Sequence, residues 1–406
     1  MQPNSNPKPK ILIVTGVLWI GGGAEKVAAN LGNYFTDQGY ESHLLTFYEA
    51  PDKYPYHGIY HSFNETAKTH RLFKLFGIPW RIWRIARYIK QHDIDIAYTF
   101  LEEANFYVLL AKRLFVRRLP VVVSVRNNIR TRGWLFRRLC GWLYPSAKSV
   151  VAVTKQVEQM LIADFSLPNT TTIYNSLDMP HIQERAQEPL PPEYQWLTGA
   201  SPLCISMGRL IPQKGQWHLV RAFTRVVASH PSAQLVVLGE GEYKAQLQQL
   251  VSDCGMTDSV HFIGKHSNVY QFLQAADIFV FSSLFEGMPN TMLEALSIGL
   301  PIVSTDCPSG PREIIAPDLA VQQVATYPHE TPYGILTEPF AITEAFFETP
   351  TNRPLAAQEL QLADIISDVL IRQWKRGPAY TVYQNRIAEA FDKDAIMSEW
   401  ERLLIK

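Results

Sequence analysis

Cysteine is scarce in this sequence. Four residues (Cys140, Cys204, Cys254, Cys307) occur in 406. They form no Cys-x-x-Cys pair and have no histidine close by, which argues against a disulfide framework or a thiolate metal site and predicts free thiols in a reducing compartment. Long hydrophobic runs are lacking too. The first apolar stretch, Ile11 to Ile20, is short and bordered by glycines, so it predicts a buried strand, with no secretory signal and no spanning helix. Metal-ligand patterns are thin. The eleven histidines are scattered, and His57 and His61, in a Pro- and Tyr-rich loop, are expected to be structural. Asp93-Ile94-Asp95 is a literal Asp-x-Asp, but it stands at the start of a strand, away from the carboxyl ends where α/β sheets bind ligands. No metal and no cofactor are expected.

Net charge is absent as well, with 38 Lys+Arg against 38 Asp+Glu. The balance hides an asymmetry: residues 1–180 hold 22 basic and 13 acidic residues, and the remainder holds 16 and 25. A basic first half and an acidic second half predict different surfaces and different partners. With 47% apolar and 19% charged residues, the chain is long and apolar enough for two domains with separate cores.

Apolar runs and helical periodicities alternate along the chain. Strands are expected at 11–18, 42–47, 94–100, 121–125, 149–153 and 171–174, with helices after the glycines at 21–23 and over 80–91, 104–114 and from 155. Proline crowds 179–201 (Pro180, Pro189, Pro191, Pro192), which predicts a linker. The alternation restarts with strands at 203–207, 234–238, 260–263, 277–281 and 301–305. Residues 316–357 are proline-rich and read as loop around one strand near 333–336, and two helices finish the chain at 358–375 and 381–404. Alternating strands and helices predict an α/β fold of parallel, doubly wound sheets.

Three stretches carry chemistry. Phe281 to Leu296 is strand, loop and helix. Pro289 suits a first helical position, and Gly299 with Pro301 stops the helix. Glu286 in the loop and Glu294 on the helix bracket the free amides of Asn290 and Thr291, where an anion is favoured. Gly208-Arg209-Leu210-Ile211-Pro212-Gln213-Lys214-Gly215 places two cations before a helix, as a diphosphate requires. Gly21-Gly22-Gly23 lets backbone approach a ligand, though it lacks the dinucleotide fingerprint.

Together these pieces resemble the retaining glycosyltransferases of family 4. The resemblance rests on Gly22-Gly23-Ala24-Glu25, Gly208-Arg209-Leu210 with Lys214-Gly215, Gly239-Glu240-Gly241, Glu286-Gly287-Met288-Pro289 with Glu294, and Gly310-Pro311-Arg312-Glu313, in the family's order. It implies a GT-B fold: two facing Rossmann-like doubly wound domains with the site between them and a C-terminal crossover helix. The expected divisions are an acceptor domain over 1–178, the linker 179–201, a donor domain over 202–380, and 381–406 packing back on the first domain. The resemblance implies that Glu286 and the backbone of Gly287, Met288, Pro289 and Asn290 hold the transferred sugar. Thr291, Arg209 and Lys214 would neutralise the diphosphate, Glu294 would bind the ribose, Gly264 would meet the base, and Gly22 and Gly23 would close on the donor. Many relatives have a histidine after the strand at 121–125. Here Arg126-Asn127 stands there, and the pair is assigned to substrate contact, because Arg stays protonated.

The expected reaction moves a hexose from a nucleotide-diphosphate sugar, UDP-linked by expectation, to a glycan or lipid-linked glycan. A nucleotide-sugar epimerase or phosphorylase on the same architecture, and a non-catalytic sugar-nucleotide-binding protein, are the competing readings. Between Lys68 and Lys90 lie seven basic residues and no acid, interleaved with Trp80, Trp83 and other apolar residues. A second basic segment, 126–148, adds Trp134, Phe136 and Trp142. Both predict contact with anionic lipid at the cytoplasmic face of a membrane. No motif supports nucleic-acid binding.

Overall fold

The computed structural model describes residues 7–20, 22–65, 71–199, 202–342, 353–372 and 378–405. Its elements run β1 (Ile11–Thr15), α1 (Gly23–Asp37), β2 (Ser42–Thr46), β3 (Ile59–Ser62), α2 (Arg71–Gln91), β4 (Ile96–Phe100), α3 (Glu102–Leu114), β5 (Val121–Val125), α4 (Trp134–Leu143), β6 (Ser149–Ala152), α5 (Lys155–Phe165) and β7 (Thr170–Thr172). There follow α6 (Met179–Ala186), β8 (Leu203–Met207), α7 (Gln216–Ser229), β9 (Gln234–Leu238), α8 (Lys244–Asp253), β10 (Val260–Gly264), α9 (Tyr270–Ala275), β11 (Ile278–Phe281), α10 (Asn290–Ile298), β12 (Ile302–Thr305), α11 (Pro311–Ile315), β13 (His329–Thr331), β14 (Gly334–Thr337), α12 (Ala357–Arg372), α13 (Pro378–Phe391) and α14 (Lys393–Ile405). Two compact units result, Met1–Ser176 with Lys393–Lys406, and Leu177–Asp392.

Each unit is built on a seven-stranded sheet, ordered β3-β2-β1-β4-β5-β6-β7 in the first and β10-β9-β8-β11-β12-β14-β13 in the second. All pairings are parallel except β13 with β14. The continuous apolar strands predicted this, since both faces of a parallel sheet are covered by helices. Strand order reverses between β1 and β4 and between β8 and β11, and ligands of such sheets bind where strand order reverses, outside the carboxyl ends. Among the described residues no helix is long and apolar enough to cross a membrane.

The expected linker is folded. Asp178 accepts the His181 amide at 3.3 Å and caps α6, and Pro180 lies in the first turn, where its missing N–H costs nothing. Ile182 and Ala186 are buried, and Gln183 donates to the Ser297 carbonyl on α10 at 3.2 Å. Tyr194, in a short helical turn, packs edge-on against His266 and Phe272. Residues 179–199 therefore belong to the second unit. The single terminal helix expected over 381–404 is two helices broken at Asp392, where Leu177 donates to the Phe391 carbonyl at 2.7 Å. Only α14 joins the first unit: Tyr34 and Tyr40 both donate to Glu401 at 2.8 Å, and Tyr98 donates to the Trp400 carbonyl. Two strands went unforeseen: β3, at the sheet edge after the proline-rich stretch, and β13, which pairs with the one strand expected there.

Candidate active site

At the switch point of the second sheet, β8 and β11 are neighbours, so the loops that follow them lie side by side. Leu284 donates its amide to the Gln213 carbonyl at 2.8 Å, and the Ser282 hydroxyl donates to the Lys214 carbonyl at 3.0 Å. That stitching brings Lys214 and Glu286 together although 72 residues separate them, with Nζ 2.6 Å from Oε1. Glu286 is 6% exposed. Its Oε1 also accepts from the Ser283 hydroxyl at 2.7 Å, and its Oε2 accepts from Gln213 at 3.2 Å. A carboxylate buried this deeply would be costly to the fold without such partners.

The backbone of the same loop is fixed from the β12–α11 turn. Glu286 donates its amide to the Pro308 carbonyl at 2.7 Å, and the buried Ser309 hydroxyl lies 3.0 Å from the carbonyl oxygens of both Glu286 and Gly287. Gly310, at φ 96°, allows the close approach: a Cβ there would fall 2.5 Å from Pro289 Cδ and 2.8 Å from the Gly287 carbonyl oxygen. Met288 is buried. Pro289 is the N-cap of α10, so Asn290 and Thr291 are its first residues, and the Thr291 amide lies in the first turn, where the helix itself offers no carbonyl. The Thr291 hydroxyl oxygen is buried and has no hydrogen-bond partner among the described residues. Glu294, one turn further, is buried. Cys307, buried nearby, has its thiol pushed well up by burial and then by the Glu286 charge, so it is an inert thiol.

The loops after β8, β9 and β10 are joined by backbone bonds. Leu210 donates to the Glu240 carbonyl at 3.0 Å and Gly239 to the Gly264 carbonyl at 2.8 Å. Gly264, Arg209 and Lys214 thus stand on one edge of the sheet. The Arg209 side chain is exposed and has no ion-pair partner among the described residues, while its carbonyl accepts from Gln216 at 2.9 Å.

The remaining expected residues lie in the first unit. Gly22 is the N-cap of α1 and Gly23 its first residue; Gly21 lies outside the described residues. Glu25 folds back over Gly22 so closely that a Cβ there would sit 2.0 Å from its Oε2. Arg126, at the carboxyl end of β5, is buried, donates through Nη2 to Asn175 Oδ1, and leaves Nη1 without a partner among the described residues. Burial pulls its pKa down to about 10, with the Glu25 charge opposing the shift, so it remains a cation at neutral pH. Asn127 is partly exposed beside it. Asp95 of the Asp-x-Asp accepts the Lys10 amide at 2.8 Å, a fastener at the start of β4. His61 packs against Tyr88 and Phe63.

Sequence reasoning missed Gln213, Ser283 and Ser309 around Glu286, and Glu25 and Asn175 around Arg126. Only adjacency gave a signal: Gln213 precedes Lys214, and Ser309 precedes the Gly310-Pro311-Arg312-Glu313 piece. Nothing local marks Asn175.

Comparison with known proteins bears on the whole arrangement. Residues 21–179 match the family described as Glycosyltransferase Family 4, and residues 196–329 match Glycosyl transferases group 1. An uncharacterised glycosyltransferase of Methanocaldococcus jannaschii is 33% identical over 98% of this chain and 98% of its own length. A Campylobacter jejuni enzyme, an N-acetylgalactosamine-N,N'-diacetylbacillosaminyl-diphospho-undecaprenol 4-alpha-N-acetylgalactosaminyltransferase, is 27% identical over 73% of this chain and 81% of its own. Among solved structures, Anabaena HepE in complex with UDP and glucose superimposes with a TM-score of 0.73 at 18% identity, covering 98% of this chain and 99% of that one. Sucrose-phosphate synthase from Thermosynechococcus elongatus gives 0.75 at 16% identity, covering 98% of both chains. The likeness across the full length of the Methanocaldococcus protein, with both family matches in the expected order, shows that this chain belongs to the family 4 glycosyltransferases, with the two Rossmann-like sheets of the GT-B fold.

Proposed function

We propose that the protein transfers a hexose from a nucleotide-diphosphate sugar, UDP-linked, to a glycan or lipid-linked glycan, with retention at the anomeric carbon and without a metal. The observation that carries this reading is the part-buried Lys214–Glu286 pair beside the start of α10. Its cation, its carboxylate and the helix start match the groups of a sugar diphosphate. The sugar lies against Glu286 and the backbone of Gly287 to Asn290. The diphosphate meets the Thr291 amide, Arg209 and Lys214. The ribose meets Glu294, the base meets Gly264, and Gly22 and Gly23 contact the donor. Arg126 and Asn127 contact substrate.

In the reaction the bond from the anomeric carbon to the phosphate oxygen breaks and a bond to the acceptor oxygen forms. Negative charge grows on the leaving diphosphate as the sugar becomes cationic. Fixed cations and amides aimed at that charge supply the largest catalytic term. The incoming diphosphate competes with Glu286 for Lys214, and this frees the carboxylate for the sugar hydroxyls. The departing phosphate oxygen takes the acceptor proton, since Arg126 stays charged. UDP in the HepE complex and the diphospho-undecaprenol-linked acceptor named for the Campylobacter relative support the donor and acceptor classes, and an acceptor of that kind would be met at the cytoplasmic face of a membrane.

The test is a panel of UDP- and GDP-sugars with a bacterial lipid extract, following nucleotide release. The expected outcome is UDP release stimulated by the extract and insensitive to a chelator. No acceptor-stimulated release from any donor would overturn the reading, and dependence on a divalent ion would overturn its metal-free mechanism.

A further inference from the structure

The residues between Ala104 and Val157 include eleven Lys and Arg and no Asp or Glu. The fold of the first unit gives several of these cations, and those of α2 from Arg81 onward, different directions. The crossovers from β3 to β4, β4 to β5 and β5 to β6 all run the same way along the sheet. Being right-handed, they lay α2, α3 and α4 side by side on one face, opposite α1. On α2, the buried side is Ile82, Ile85, Ala86 and Ile89. Trp80, Trp83, Arg87 and Lys90, spaced i, i+3, i+7, i+10, share the other side. On α4 the buried side holds Cys140 and Leu143, and Trp134, Leu135, Arg138 and Trp142 share the outer one.

These outer residues are large, apolar and in solvent: Trp80 is 58% exposed, Trp134 69%, Leu135 67% and Trp142 52%. Leu114 and Phe115, at the end of α3 between the two stripes, are exposed as well. Trp80 and Trp83 stack with ring centroids 4.7 Å apart. Each stripe pairs cations with indoles: Arg87 over Trp83 at 5.3 Å, Arg138 over Trp134 at 6.0 Å, and Arg113 over Trp142 at 4.3 Å. Between α2 and the end of α3 is a groove of about 300 Å³ lined by Trp83, Ala86, Arg87, Lys90, Gln91 and Phe115. Among the described residues no carboxylate pairs with Arg87, Lys90 or Arg138. Two cations of the basic run behave differently. Arg81 is held by Glu65 and Glu103, and Arg84 faces Glu65 and the Phe63 ring, so neither belongs to the outer face.

We propose that the outer face of the α2–α3–α4 layer is a docking surface for an anionic lipid bilayer, with the indoles in the interface and Arg87, Lys90, Arg113 and Arg138 among the headgroups. Indole rings beside unpaired cations fit the boundary between headgroup and acyl chain. A second copy is the poorer occupant, because it would set two basic faces against each other. The inference is independent of the sugar-transfer reading, and its test contains no turnover.

The full-length protein is mixed with vesicles of phosphatidylcholine alone or with phosphatidylglycerol, and bound protein is measured by flotation and by the blue shift of Trp emission. Binding to the anionic vesicles alone is expected. The triple variant Arg87→Gln/Lys90→Gln/Arg138→Gln should bind about 100-fold more weakly, at a contribution of roughly a factor of five per cation. Trp80→Ala/Trp83→Ala/Trp134→Ala/Trp142→Ala should lose the blue shift, and Arg225→Gln in the other unit should leave binding unchanged. All these positions are on the surface, so unchanged thermal midpoints will show that the variants fold. Equal binding to neutral vesicles, full binding by the triple variant, or self-association or nucleic-acid binding abolished by the same substitutions without any vesicle binding would each overturn the proposal.

Discussion

Arg126 occupies a place where a neutral side chain would be better solvated. It is buried, satisfied on one side by Asn175 and unpartnered at Nη1, and its pKa has fallen to about 10. A base whose folded pKa lies below its unfolded value is charged at a cost to the fold, and that cost is relieved only as the pH rises through about 10. A group kept under such conditions is expected to serve the substrate. Arg126→Met should therefore leave the thermal midpoint unchanged or raise it by about 2–4 °C, while turnover falls at least about 10-fold, the worth of a lost charged hydrogen bond. Melting and initial rates on the same preparation check both; a lower midpoint with intact turnover would mean a purely structural arginine. Little of this was readable in sequence. Arg126 drew notice by its place after a strand, but Glu25 and Asn175 come from distant segments. The same holds for Glu286 and Lys214: each was legible as a charge in a loop, whereas their pairing depends on β8 and β11 being neighbours.

At the scale of elements, α12 shows how a helix from the chain's last quarter is held to the second unit. Its Glu359 is buried between His218 and Arg221 of α7, with Arg221 Nε 3.0 Å and His218 Nδ1 2.7 Å from Oε1. Burial alone would raise this carboxyl, but hydrogen bonds from His218, Arg221 and the Ala356 amide hold it below its ordinary value. The stabilisation it gives is present above the unfolded carboxyl pKa and is lost as the pH falls through the folded one. Glu359→Ala should cost about 3–5 kcal/mol at neutral pH, because it strands the Arg221 charge. Urea unfolding of both proteins at pH 7 and in the acid range tests this: the difference should shrink in acid, and a difference that is constant with pH would contradict the linkage. Elements were readable where a local signal decides them, as with the apolar run, Pro289 and Gly299 around α10. The segment 179–199 was misread because proline marks both linkers and first helical turns, and only the packing of α6 on α9 and α10, with Ile182 and Ala186 buried, tells the two apart. Arg81 and Arg84 were read as surface charge because Glu65 and Glu103 lie outside their own helix.

For the molecule as a whole, the asymmetry of charge follows the two units. The first carries 25 Lys+Arg against 15 Asp+Glu and the second 13 against 23. The first has the charge to meet an anionic surface, and in the second Arg209 and Lys214 are two of thirteen cations set against an acidic background. Parallel, doubly wound architecture was legible because strands buried on both faces have no polar alternation to blur them. The break between α13 and α14 was not, since both helices keep a helical period across Asp392. The central claim is that the site around Lys214 and Glu286 moves a sugar, with the two glutamates in different roles. It is tested most directly by acceptor-stimulated nucleotide release, measured against donor concentration for the full chain and for Glu286→Ala and Glu294→Ala. The account predicts that Glu286→Ala lowers kcat by about 100-fold or more with donor KM little changed, whereas Glu294→Ala raises donor KM by roughly 10-fold and spares kcat. Full turnover in Glu286→Ala, or the reverse pattern in the two variants, would contradict it.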